Sequence, residues 1–136
     1  MSRENKAIVR RYLQEAINQR NRDVLDEIFA PEFVDHTAVP GQAPGAEGLK
    51  QFFAKMDAGF PDFHAVVEDV IAEGDKVAVR FTFHGTHQGE FMDIPPTGRR
   101  VTMSGIDILR VVDGKVVELW GQEDVLGMMR QLGAVP

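Results

Sequence analysis

Along Asn5 to Asn18, apolar residues fall at Ile8, Val9, Tyr12, Leu13, Ala16 and Ile17. That three-to-four spacing predicts a helix with one greasy face. A second short helix is expected with Val24, Leu25, Ile28 and Phe29 as its stripe, capped by Asn21 and stopped by Pro31. Val39 to Gly48 carries Pro40, Gly41, Pro44 and Gly45 and reads as a loop. A third helix follows from about Ala46 to Ala58, burying Leu49, Phe52, Phe53 and Met56, with Gly59 at its end. The pattern then changes to period two. His64 to Glu73 and Lys76 to His87 read as one hairpin around Gly74-Asp75. Arg99 to Val112 and Lys115 to Asp124 read as another around Asp113-Gly114, a strong hairpin signal. Pro95-Pro96-Thr97-Gly98 interrupts between the hairpins, and a last helical turn spans Val125 to Leu132. Helices first and strands afterwards predict an α+β fold, a curved antiparallel sheet with helices on one face. No repeat or linker divides the 136 residues, so residues 1–136 are read as one domain.

A two-residue turn at Asp113-Gly114 sets an expected register. Asp107 then faces Trp120, Gly105 faces Gln122, and Met103 faces Asp124, all on one face of the sheet. Ile106, Ile108, Val117 and Leu119 fall on the other face. The mixed aromatic and polar face is the expected pocket wall. The aliphatic face would turn outward and form a homodimer through the sheet. A one-residue slip would exchange these assignments.

Charge and composition narrow the partners. Fifteen Lys and Arg against 21 Asp and Glu give a net charge of -6, with no basic stripe for phosphates, so no nucleic acid is expected. No apolar run approaches the roughly 18 residues of a membrane span, and the start is amphipathic rather than signal-like. The absence of cysteine excludes disulfides, thiolate metal sites and a cysteine nucleophile. A cytoplasmic protein binding a small hydrophobic molecule is the expectation.

Several short motifs occur in order: Phe33-Val34-Asp35-His36, Pro44-Gly45-Ala46-Glu47-Gly48, Phe60-Pro61-Asp62, Gly85-Thr86-His87-Gln88-Gly89, Ile94-Pro95-Pro96-Thr97-Gly98 and Trp120-Gly121-Gln122-Glu123-Asp124. With the Asp113-Gly114-Lys115 turn, they resemble the SnoaL-like polyketide cyclase family of the nuclear-transport-factor-two-like (cystatin-like) superfamily. The resemblance spans nearly the whole chain. It implies a cone, a bent sheet wrapped around helices, with a ligand cavity at its open end. It also implies ring closure by intramolecular aldol condensation, with no metal or organic cofactor and an aspartate as general acid/base. By its place in the Trp-x-x-x-Asp motif, Asp124 is the aspartate implied. Two other readings stay open on the same fold: an epoxide-hydrolase-like hydrolase, and a ligand-binding domain without turnover.

Individual residues are weighed on their chemistry. A carboxylate in an apolar cavity gains basicity, which suits Asp124 to proton abstraction; an Asp there also caps the following helix, and the two roles are compatible. Asp107 lies in an apolar strand and must be paired, hydrated or functional. His36, at an expected cavity rim, and His87, with inward parity, are candidates to orient a carbonyl or stabilise an enolate, though an inward histidine also serves as a satisfied structural group. Trp120, Gln122, Asp107, Phe60, Phe33 and Tyr12 are the expected substrate-binding residues. His84 and His87 are three apart in a strand, pointing to opposite faces, so no metal site is expected. The segment Gln88 to Gly98 either closes over the mouth as a lid or packs as a connector.

Overall fold

The computed structural model describes residues 2–136. Helix α1 (Ser2–Arg11) continues directly into a π-helical segment, Tyr12–Asn18. Its wider turn brings Tyr12, Leu13, Ala16 and Ile17 to the core together, and such turns recur at functional sites. A short α2 (Val24–Ile28) follows, with Asp23 rather than Asn21 at its N-cap position and no side-chain cap bond. The chain then enters β1 (Phe29–Asp35), a strand the helical spacing of Val24 to Phe29 had concealed. After α3 (Gly45–Gly59) come β2 (His64–Glu73), β3 (Lys76–Thr86), β4 (Arg100–Val112), β5 (Lys115–Glu123) and α4 (Val125–Gln131).

The five strands form one sheet in the order β1-β5-β4-β3-β2, with β1 parallel to β5 and the other neighbours antiparallel. At the β4–β5 turn, Asp113 (φ 51°) and Gly114 (φ 78°) both take the left-handed conformation that a primed two-residue turn requires. Along β4 every second residue is buried from Val101 to Val111. Val77, Val79, Phe81 and Phe83 of β3 continue that inner face. They pack against Val9, Leu13, Ile17, Leu25, Phe53 and Met56 from the helices. The edge strand β2 is secured at Ala65, whose N–H donates to Asn18 Oδ1 (2.7 Å) and whose carbonyl accepts from Asn18 Nδ2 (2.8 Å). At that residue the edge offers no free backbone group to a foreign strand.

Three pairings carry an irregularity, one of them between Phe29 and Val34 where β1 runs along β5. In β2 an extra residue falls between Val67 and Asp69, and in β5 one falls at Val117, between the pairs Val111↔Val116 and Arg110↔Glu118. Bulges of this kind kink a strand and reverse the faces beyond them. The expected register therefore holds for only two pairs past the turn. Beyond Val117, Asp107 pairs with Gly121, Ile108 with Trp120, Ile106 with Gln122 and Gly105 with Glu123. The expected grouping of Asp107, Trp120 and Gln122 on one face is corrected accordingly. Trp120 and Gln122 lie on the outer face with Ile106 and Ile108, while Leu119 is buried inside. The aliphatic patch assigned to a dimer thus loses Leu119.

Candidate active site

The inner face of β4 and β5 carries two glycines and two carboxylates in a reciprocal arrangement. Gly105 pairs with Glu123, and Asp107 pairs with Gly121. A Cβ on Gly121 would lie 2.6 Å from Asp107 Oδ1, and one on Gly105 would lie 2.9 Å from Glu123 Cγ and 2.6 Å from the Phe81 ring. Each acidic side chain thus lies over the bare backbone of the opposite strand. Glycine is required at both places by close approach rather than by backbone angle.

These residues line a small inner pocket of about 70 Å³ together with Tyr12, Asp35, Thr37, Gln42 and apolar side chains including Leu49, Phe52, Phe53, Phe83 and Leu119. The pocket lies between the π-helical segment, α3 and the sheet. Asp35 is held at the end of β1: Thr37 N, Thr37 Oγ1 and Gln42 Nε2 donate to its carboxylate at 3.0, 3.2 and 3.2 Å. Thr37 Oγ1 in turn accepts from Gly121 N at 2.8 Å, tying the loop after β1 to β5. Asp107 contrasts with Asp35. It is only 6% exposed, and its Oδ1 is buried with no hydrogen-bond partner among the described residues.

Burial, and then the neighbouring Glu123 and Asp35, push the Asp107 carboxyl well above the usual carboxylate range. Glu123 sits at the rim, solvated on one side, and is raised by partial burial and by Asp35. Burial holds the Tyr12 phenol well above its ordinary value, with Asp107, Glu123 and Asp35 adding to the effect, so Tyr12 keeps its proton. One pocket therefore holds acids in different environments, the arrangement that separates proton donors from proton acceptors.

A second, outer chamber of about 270 Å³ shares Val39, Gln42 and Phe52 with the inner one. Its far side includes Phe91 and Met92 from the β3–β4 connection. That connection is pinned to the end of α3, where Gly59 O accepts from Gln88 N (3.0 Å) and Gly89 N (3.1 Å). The segment expected as lid or connector is thus an anchored wall of the outer chamber.

Of the residues singled out in the sequence, Tyr12 and Asp107 line the inner pocket. Asp124 does not; it is exposed, and its Oδ1 accepts from Gly127 N (2.9 Å) as the N-cap of α4. Trp120 stacks on His36 on the outer face at 4.7 Å, with Lys76 Nζ 5.5 Å from the indole. His36 Nε2 lies 3.2 Å from Glu118 Oε2. His87 is fully buried, as its parity implied, yet away from the inner pocket. Its Nδ1 accepts from Thr97 N at 3.1 Å, so in the neutral ring the proton sits on Nε2, which is buried without a partner. Phe60 packs on His87 and Phe91, and Phe33 packs on Phe29 in the core. Gln122 lies on the outer face beside Ile106 and Asp124. Asp35, Thr37, Gln42, Gly121 and Glu123 are pocket residues that the sequence reading did not single out. Among the described residues, no group of three or more His, Asp or Glu side chains has metal-holding geometry.

Comparison with known proteins places the chain. It is 30% identical over 121 residues to the nogalonic acid methyl ester cyclase of Streptomyces nogalater, covering 87% of this chain and 90% of that one. It is 30% identical over 130 residues to the aklanonic acid methyl ester cyclase DnrD of Streptomyces peucetius, covering 93% and 88%. Among solved structures, TsrD from Streptomyces laurentii superposes with a TM-score of 0.88 at 31% identity, over 97% of this chain and 96% of that one. A SnoaL-like polyketide cyclase from Agrobacterium tumefaciens superposes with a TM-score of 0.76 at 26% identity, over 93% and 95%. The model of the SnoaL-like polyketide cyclases matches residues 7–132, and the chain belongs to that family.

Proposed function

We propose that this protein closes a ring in a carbonyl compound by intramolecular aldol chemistry, with the carboxyls of Asp107 and Glu123 as proton donor and acceptor. The observation that supports this most is the Asp107 carboxyl, buried in the inner pocket with Oδ1 unpartnered among the described residues. A group so placed has its hydrogen-bonding capacity free for a ligand, and burial favours its protonated form. Asp107 and Glu123 are diagonal neighbours across β4 and β5, about 7–8 Å apart at the backbone, and both line the inner pocket.

In the proposed reaction, ionised Glu123 takes a proton from the carbon next to one carbonyl, leaving an enolate. The enolate carbon attacks a second carbonyl of the same molecule, forming the ring's carbon–carbon bond. Asp107 gives its proton to the oxygen of that second carbonyl as it becomes an alcohol. The proton held by Glu123 returns to Asp107, so substrate and product are isomers and the enzyme is unchanged. The neutral Tyr12 hydroxyl donates a hydrogen bond to the enolate oxygen. Every proton moved comes from the substrate or from the carboxyl of Asp107.

The substrates of relatives supply the assay, namely nogalonic and aklanonic acid methyl esters. Ring closure of these compounds by the wild type should fall roughly 10²-fold in kcat in Asp107→Asn, with KM little changed. Full turnover by Asp107→Asn would refute the assignment.

A further inference from the structure

We infer that the outer chamber holds the far end of the substrate and that Lys55 selects for an anionic oxygen, a carboxylate or phenolate, at that end. This rests on the inner pocket being the place where the reacting carbonyl sits. At about 70 Å³ the inner pocket takes only a fragment, since small-molecule sites usually begin near ~300 Å³. The outer chamber adjoins it across the shared residues Val39, Gln42 and Phe52, which gives the remainder of a larger substrate room to extend.

The two chambers differ in charge. The inner one holds three carboxyl groups, from Asp35, Asp107 and Glu123, and no cation. In the outer lining Lys55 is the single ionisable side chain. Gly48, Gln51, Phe52 and Lys55 follow one another at the spacing of one helix face, so α3 sets the exposed Lys55 in the chamber's wall. The other cations around α3 are committed elsewhere: Lys50 to Asp26 at 2.7 Å, and both Arg20 and Arg22 to Asp57. Lys55 has no ion pair or hydrogen bond among the described residues. A substrate with an anionic end is repelled from the acidic inner pocket and attracted to Lys55, so the charge pattern admits one orientation. Orientation is what an intramolecular condensation needs, because only the correct carbonyl then meets Glu123 and Asp107.

The test is a binding measurement that needs no turnover. Anthracene-2-carboxylate and its methyl ester are titrated by fluorescence against the wild type, Lys55→Met, Lys55→Arg and the control Lys50→Met. The acid-to-ester affinity ratio should fall about two- to fivefold in Lys55→Met, persist in Lys55→Arg and Lys50→Met, and shrink in the wild type at high salt. An unchanged ratio in Lys55→Met, an equal fall in Lys50→Met, or no binding of either probe would overturn the inference. The catalytic reading fails separately, through undiminished turnover by Asp107→Asn, and that result leaves the affinity ratio where it was.

Discussion

Changing Asp107 to Asn should make the folded protein gain in stability, relative to the wild type, as the pH rises. Asp107 is 6% exposed, its Oδ1 has no partner, and burial above all raises its carboxyl well above the usual range. In the unfolded chain the same carboxyl loses its proton near pH ~3.9. Between that value and the raised folded value, the folded protein holds one proton more than the unfolded one. Stability therefore falls with rising pH across that window, by about 1.4 kcal/mol per pH unit at most. The contribution is complete below the unfolded value and levels off above the folded one. Asn has nearly the same shape and does not titrate, so its curve lacks this slope. Glu123 retains its own slope in both proteins, since its upward shift comes from burial and Asp35.

The assay is urea unfolding followed by circular dichroism, from about pH 4 to about pH 8, with the m-value checked for constancy. The amide of Asn introduces buried donors of its own, which cost about 1–3 kcal/mol if unpaired and shift the curve by a constant. The informative quantity is consequently the change in the stability difference with pH, not its absolute value. That difference should move in favour of Asp107→Asn as pH increases. Parallel curves, or a difference that moves the other way, would refute a carboxyl held protonated by its surroundings.

Gly121→Ala places a methyl 2.6 Å from Asp107 Oδ1, so the carboxyl must shift; turnover should drop about tenfold or more, with a stability cost of about 1–3 kcal/mol by urea titration. Wild-type kcat in Gly121→Ala would show that the position of Asp107 is immaterial. Asp124→Ala removes the bond to Gly127 N and should cost about 1 kcal/mol of stability while kcat stays within a few-fold of wild type. A hundredfold loss of kcat with the fold intact would return Asp124 to the chemistry.

Much of the fold is legible from local pattern because local pattern is what shapes it. The strict alternation of β4 and the Gly74-Asp75 and Asp113-Gly114 turns report features set within a few residues. The strand β1 is not legible in that way. Its partner is β5, about 85 residues later, and Phe29 and Phe33 are four apart, a spacing shared by a helix face and by one face of a strand. The same limit applies to His36: its neighbours Glu118 and Trp120 are known only once β1 is laid beside β5. Tyr12 and Asp107 were accessible, the first by its helical stripe and the second by the cost of an acid in an apolar strand.

Which side chains face the inner pocket turned on one residue. Lys115-Val116-Val117-Glu118-Leu119 contains two adjacent valines, and no count of apolar residues says which of them enters the ladder and which is extra. With Val117 extra, every side chain after it changes sides, and Gly121 and Glu123 replace Trp120 and Gln122 on the inner face. A different signal was present in the same strands. Gly105-Ile106-Asp107 and Gly121-Gln122-Glu123 are both glycine, one residue, then acid, and antiparallel pairing sets each acid opposite the other's glycine. An acid turned into a packed core needs room, and the missing Cβ across the ladder supplies it. Two such triplets in neighbouring strands point to a shared acidic pocket only in the bulged register. In the regular one, each glycine would face Gln122 or Ile106 instead, and the coincidence would have no physical use.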